Sequence, residues 1–243
     1  MDRSTLSPKI ESKLIGITER LKSLYADGLV SVILYGSAAR GEFKKKHSNI
    51  NLVVVLRDMS LENLAKAKRD LSSRRYAIFN VIFFTEEYIG RSGDIFPIEF
   101  LDMRDNHRVI YGNDVFLGID IDMKNLRFQC EQELKEKLLQ ISGFYLINRN
   151  KGILTAFLFK SFNSTLHILR NVIRLKGRVP PTDKEGIISE LSREAGSPLA
   201  SMSGILEAFK SNRRLSSGEI DRLFFGFADE LKNITEAVDR LSI

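Results

Sequence analysis

Leu29-Val30-Ser31-Val32-Ile33-Leu34-Tyr35-Gly36-Ser37 and, after a polar loop, Ser48-Asn49-Ile50-Asn51-Leu52-Val53-Val54-Val55-Leu56 are the two stretches on which the fold turns. Each is a run of apolar, mostly β-branched residues, and each predicts a buried strand, over residues 29–35 and 50–56. The first run is stopped by a Gly-Ser pair, the second is opened by two asparagines. Residues two apart on a strand project to one face, so positions 49 and 51 aim two side chains at one point. Neighbouring strands would bring that point beside the Gly-Ser turn.

Upstream, Ile10, Leu14, Ile15, Ile17, Leu21, Leu24 and Tyr25 recur at helical spacing behind Ser7 and Pro8, which predicts a helix over residues 8–26. Downstream, Ser60 caps a helix through residue 73, residues 75–84 read as a third strand, and Thr85-Glu86-Glu87 opens another helix. Residues 96–115 mix apolar and charged side chains around Tyr111-Gly112-Asn113-Asp114, a short strand or helix leading into a turn. Past residue 121 the periodicity becomes helical throughout, over residues 122–147, 152–176, 183–195, 199–211 and 217–241. Capping boxes are expected at Thr182 with Glu185 and at Ser216 with Glu219, and helix stops at Gly177 and Gly196. The predicted architecture is an α+β domain over residues 1–120, a mixed sheet with helices, followed by an all-α bundle over residues 121–243.

With 43% hydrophobic and 28% charged residues in 243, the chain is globular rather than disordered, and long enough for two cores. Its 37 basic and 31 acidic residues leave +6, a mild and interspersed excess that favours anionic partners without establishing nucleic-acid binding. A lone cysteine, Cys130, excludes an internal disulfide and a cysteine metal cluster and fits a reducing compartment. No signal-peptide pattern and no apolar run long enough to span a membrane is present, so a cytoplasmic protein is expected, without a membrane partner.

The segment Leu34-Tyr35-Gly36-Ser37-Ala38-Ala39-Arg40-Gly41-Glu42, followed by Ser48-Asn49-Ile50-Asn51, resembles the signature of the nucleotidyltransferases of the DNA polymerase β superfamily. In that family a Gly-Ser turn and an Arg-Gly pair precede Ser-Asp-Xaa-Asp at the head of the next strand, and a third aspartate stands on a later strand. The trailing helical region is similar to that of the minimal and antibiotic nucleotidyltransferases. The resemblance implies that three carboxylates hold two magnesium ions, which activate the attacking hydroxyl and neutralise the departing pyrophosphate. It also implies that the Gly36-Ser37 turn lets backbone amides and a hydroxyl approach the triphosphate.

The matching positions carry Asn49, Asn51 and, on the third strand, Asn80. An asparagine keeps the shape and one carbonyl oxygen, carries no charge, and presents a donor that repels a cation. No catalytic residue is then intact and no metal site is expected, with magnesium returning as a cofactor only if the aspartates were restored. Three changes that all land on the near-isostere point either to selection for neutral hydrogen-bonding groups or to deliberate replacement. The expected nucleotide contacts are Gly36, Ser37, Arg40, Lys44, Lys45 and Lys46, the lysines supplying charge in place of the metals if they are more than a solvated loop.

Three readings follow. The chain binds a nucleoside triphosphate as a sensor or regulatory subunit; or it is an active enzyme moving a nucleoside monophosphate to a hydroxyl of a small molecule, protein or RNA; or it is an antitoxin-like or scaffold module. The active enzyme needs other carboxylates, and Asp58, Glu86 and Glu87 are the nearest in sequence. A HEPN-type ribonuclease in the helical half is disfavoured, because His167 has no arginine four to six residues before it. Arg170, Arg174, Lys176 and Arg178 offer a short candidate for nucleic acid, with a cationic helix end as the plainer reading. His47, His107 and His167 lack metal-ligand spacing. The phenylalanines at 157, 159, 162, 224, 225 and 227 exceed what one buried stripe needs, so some are expected to face the first domain, a protein partner or a second copy in a homodimer.

Overall fold

The computed structural model describes residues 6–41 and 49–243. The chain divides into two compact units, Met1–Ile121 and Asp122–Ile243.

The first unit is built on a four-stranded mixed sheet in the order β3-β2-β1-β4, formed by β1 (Leu29–Tyr35), β2 (Ile50–Leu56), β3 (Phe79–Phe84) and β4 (His107–Gly112). β1 runs antiparallel to β2 and to β4, while β2 and β3 are parallel. Helix α1 (Pro8–Tyr25) covers one face with Ile10, Leu14, Ile17, Leu21 and Tyr25, packed in one core with Val32, Leu34, Ile50, Leu52, Val54 and Leu56. α2 (Leu61–Leu71) adds Ala67 to this core. Side chains alternate along a strand, so Ile33, Val53 and Val55, also buried, lie on the opposite face. There Phe84 of β3, in register with Val55, meets Phe100 of α4 (Pro97–Asp105) with ring centres 6.0 Å apart. The short α3 (Glu86–Arg91) links β3 to α4. Burial on both faces is why β1 and β2 read as continuous apolar runs.

β4 ends where the chain must pass close to β1. Gly112 has φ +78°, and a β-carbon there would lie 1.9 Å from the Val30 carbonyl oxygen. The Ser31 hydroxyl, on a buried residue, reaches the carbonyl oxygens of Tyr111 at 2.9 Å and Asn113 at 2.7 Å, tying the end of β4 to β1.

The third strand is shorter than the expected 75–84. The Tyr76 and Phe79 N–H groups donate to the carbonyls of Ser73 (3.1 Å) and Tyr76 (2.9 Å), curling the chain before β3 begins at Phe79. Tyr76 is buried in the α1 core, so the apolar character that reads as strand belongs to a packed turn. Residues 96–115 resolve into α4 and β4 in succession.

The second unit holds five helices among the described residues: α5 (Met123–Ile147), α6 (Lys151–Leu175), α7 (Lys184–Ala195), α8 (Ala200–Ser211) and α9 (Ser217–Asp239). Ser216 and Glu219 form the expected capping box, and Gly196 closes α7 in the left-handed region. The cap of α7 is Asp183, not Thr182: the Asp183 carboxylate accepts from the Gly186 N–H at 2.7 Å, and Glu185 pairs with Lys210 instead of reaching back. α8 has no cap from its own neighbours. Its first N–H groups, from Ser201 and Met202, donate to the Glu230 carboxylate on α9 at 2.7 and 2.9 Å. Burial pushes that carboxyl above its ordinary range.

The phenylalanines are largely accounted for inside the bundle. Phe157 stacks on Phe144 with centres 3.7 Å apart and lies parallel to Phe224, while Phe162 meets Phe227 edge-on. Phe225, 56% exposed, keeps one face to Tyr145. Cys130 is buried, which pushes its thiol well above the usual range. Among the described residues no helix is long and apolar enough to cross a membrane.

Candidate functional site

Register places a row of four residues across the sheet. Tyr35 pairs with His107 on one side and Asn51 on the other, and Asn51 pairs with Asn80. Directly paired residues share a face. This row stands on the α4 side, next in line to Ile33 and Val53, at the end of the sheet where β1 runs into the Gly36 turn.

Asn51 and Asn80 are in contact. The Asn80 amide Nδ2 donates to Asn51 Oδ1 at 3.2 Å, which fixes the Asn51 amide with its own nitrogen directed elsewhere. That direction is the turn: a β-carbon on Gly36 would lie 3.2 Å from Asn51 Nδ2. Gly36 has φ +74°, a conformation that glycine adopts without strain, and it opens a 3-10 turn over Gly36–Ala38. Its N–H donates to the Asn106 carbonyl at 3.0 Å, and its carbonyl accepts from Ala39 (3.0 Å) and Arg40 (3.1 Å). The Ser37 and Ala38 N–H groups are left, among the described residues, without a backbone acceptor. The turn is therefore held from behind through Gly36, with the Asn51 amide nitrogen beside Gly36, while Ala38 is buried in the core on the α1 side.

Asn49 lies just ahead of β2 and is exposed, Ser37 and Arg40 are half-buried. Glu42, Lys44, Lys45, Lys46 and His47 fall outside the described residues.

Two row-mates were not singled out by pattern. Tyr35 reads as the last apolar residue of a strand, yet it sits between His107 and Asn51, and burial raises its phenol above the ordinary range, so it stays a neutral hydroxyl. One ring nitrogen of His107 lies 2.9 Å from the Arg104 carbonyl and the other 3.0 Å from the Asp114 carboxylate, which also accepts from Phe116 and Leu117 N–H. His107 thus braces the segment that supplies the Asn106 carbonyl. No sequence signal marks that backbone contact, because any residue at 106 offers the same oxygen.

The carboxylates nearest in sequence stand away from this point. Asp58 follows the far end of β2, roughly 20 Å of extended chain from Asn51. There it accepts from Ser60 N–H and hydroxyl, each at 2.9 Å, hydrogen bonds that hold its carboxyl below the ordinary range. Glu86 and Glu87 begin α3 beyond the same end of the parallel β3, and Glu87 pairs with Arg91 at 2.9 Å. Among the described residues no group of three or more His, Cys, Asp and Glu is placed to hold a metal ion. The row itself offers amide oxygens and no carboxylate. This donor set does not fit a pair of magnesium ions, which need carboxylate oxygens in octahedral geometry.

The cationic run of the helical unit is engaged internally. Lys176 lies 2.6 Å from the Glu194 carboxylate, Arg178 pairs with Glu190 and Glu194, and Arg170 donates to the Thr182 carbonyl at 3.4 Å. These contacts fasten the turn after α6 to α7 and account for the cluster better than the dipole of α6 alone.

A four-stranded mixed sheet with a glycine turn at the end of β1 and paired polar residues heading β2 and β3 is the frame of a nucleotidyl-transferring fold. The sequence matches the nucleotidyltransferase domain family over residues 14–140, more than half of its length, and the chain belongs to that family. Among solved structures, spectinomycin adenyltransferase AAD(9) from Enterococcus faecialis, determined with ATP and spectinomycin, superposes with a TM-score of 0.59. The likeness covers 91% of this chain and 99% of that one at 12% identity, so it is one of fold, including the helical region that follows the sheet in sequence. No curated protein matches the sequence.

Proposed function

We propose that the chain is a catalytically degenerate nucleotidyltransferase that binds a nucleoside triphosphate, without a metal, as a sensor or regulatory subunit. The observation that carries this reading is the amide pair: Asn80 holds Asn51 by its oxygen, and the Asn51 amide nitrogen is turned toward Gly36. Where the family would use carboxylates to collect metals, this row offers a neutral donor beside the Gly36 turn. An empty site lined with carboxylates repels a triphosphate until metals arrive, and neutral amides remove that opposing term. Arg40 and the Lys44-Lys45-Lys46 run add cationic charge, screened at physiological salt. Among the described residues the row has no carboxylate to activate an acceptor hydroxyl through metals, and no step of transfer is assigned to the chain. The solved relative binds ATP, as its description states, in a protein of the same fold.

Calorimetric titration of ATP, GTP, CTP and UTP in chelator tests the reading, at low and high salt and with Ser37→Ala. Weak binding of at least one, diminished by Ser37→Ala and by salt, is expected. No binding of any of the four at millimolar concentration would overturn it in favour of a scaffold role.

A further inference from the structure

We infer, resting on the nucleotide-binding reading above, that the site selects the metal-free polyphosphate chain and that magnesium opposes binding instead of supporting it. The inference comes from the mismatch between the donor set and the metal that the fold family uses.

Two features of the row set the sign. First, the row of His107, Tyr35, Asn51 and Asn80 offers a cation no charged oxygen. Asn51 Oδ1 already accepts from Asn80 Nδ2, and the group turned to Gly36 is an N–H donor. Tyr35, next in the row, contributes a half-buried neutral phenol and no negative charge. Second, among the described residues no cluster of carboxylates is placed to replace the waters of a bound magnesium. Asp58, Glu86 and Glu87 are at the other end of the sheet, and among the described residues no acidic or histidine group is assembled for a metal.

The chemistry of the ligand then decides. In a magnesium–triphosphate complex the ion takes β- and γ-phosphate oxygens and cancels two of the negative charges. Those are the acceptors that Asn51, Ser37 and Ala38 donors require, and hydrogen bonds to charged oxygens are the strong ones. The chelated ligand must either shed its ion or dock with fewer acceptors, whereas the free polyphosphate keeps them all. A carboxylate-bearing relative of this row would behave in the opposite sense. The ligand class is therefore an uncomplexed di- or triphosphate ester, and inorganic triphosphate should occupy the same donors.

Equilibrium dialysis of labelled ATP and of inorganic triphosphate against the full chain, at constant ionic strength, separates the possibilities. The arms are chelator, excess magnesium, and competition by the exchange-inert chromium(III) complex of ATP. The expected result is binding in chelator that weakens roughly tenfold or more in magnesium, the equivalent of losing one hydrogen bond to a charged group, with no competition from the chromium complex. Equal or tighter binding in magnesium would overturn this inference while leaving nucleotide binding standing. No binding in any arm would overturn the nucleotide reading and this inference with it. In Asn51→Asp with Asn80→Asp the dependence should reverse, binding being lost in chelator and gained with magnesium, and a double variant that keeps the original pattern would count against the inference. The unmodified chain's arms decide the matter even if that variant fails to fold.

Discussion

Asn51 differs from an aspartate by a single replaced group, yet that group reverses what the position attracts. Substituting Asn49→Asp, Asn51→Asp and Asn80→Asp together should create manganese binding detectable by calorimetry, where the unmodified chain shows none, because positions 51 and 80 are in contact and position 49 heads the same strand. Gly36 is the second decisive residue. Gly36→Ala meets both the left-handed φ of +74° and the Asn51 amide 3.2 Å away, so it should lower stability by about 1–2 kcal/mol in denaturant titration and abolish nucleotide binding. At this scale the sequence was informative where side chains act. Gly36, Ser37, Asn51 and Asn80 are picked out by the family resemblance, and the strand register then shows Asn51 paired with Asn80. The clamp from Asn106 to the Gly36 N–H was not legible, since a backbone carbonyl leaves no residue signature, nor was His107 as its brace, since the contacts that use its ring come from residues brought together by the end of α4 and the turn after β4.

Caps make the helical elements individually testable. Glu219 closes the box at the start of α9, where the Ser216 N–H first and Arg213 second pull its carboxyl from 4.5 down to about 2. A folded-state value below the unfolded one means that this stabilisation is complete above about pH 4.5 and is lost as pH falls toward 2. Melting temperatures measured across that window should fall less steeply in Glu219→Gln than in the unmodified chain, and Ser216→Ala should cost about 1 kcal/mol at neutral pH. α8 depends on a borrowed cap, so Glu230→Ala strands the Ser201 and Met202 N–H groups and should cost about 2 kcal/mol in chemical denaturation. Element type was readable from periodicity because apolar stripes dictate burial. Boundaries slipped where a buried residue sat in a turn, as Tyr76 does ahead of β3, and where two candidate caps stood side by side, as Thr182 and Asp183 do before α7. A cap supplied from another helix, as Glu230 does for α8, has no local pattern at all.

For the whole molecule, the cationic run of the helical unit says little about partners, because Lys176 and Arg178 are paired with Glu190 and Glu194 within the bundle. What distinguishes the chain is a fold whose polar row heads the sheet with amides where the family resemblance leads one to expect carboxylates. The most direct test is a titration of the isotopically labelled chain with ATP in chelator, followed by amide NMR. The backbone signals of Ser37 and Ala38 and the side-chain amide of Asn51 should move together, saturate at one ligand concentration, and stay still when adenosine replaces ATP. Saturable ATP binding that leaves those three signals unmoved, or a response of equal size to adenosine, would contradict a phosphate-reading site at this turn.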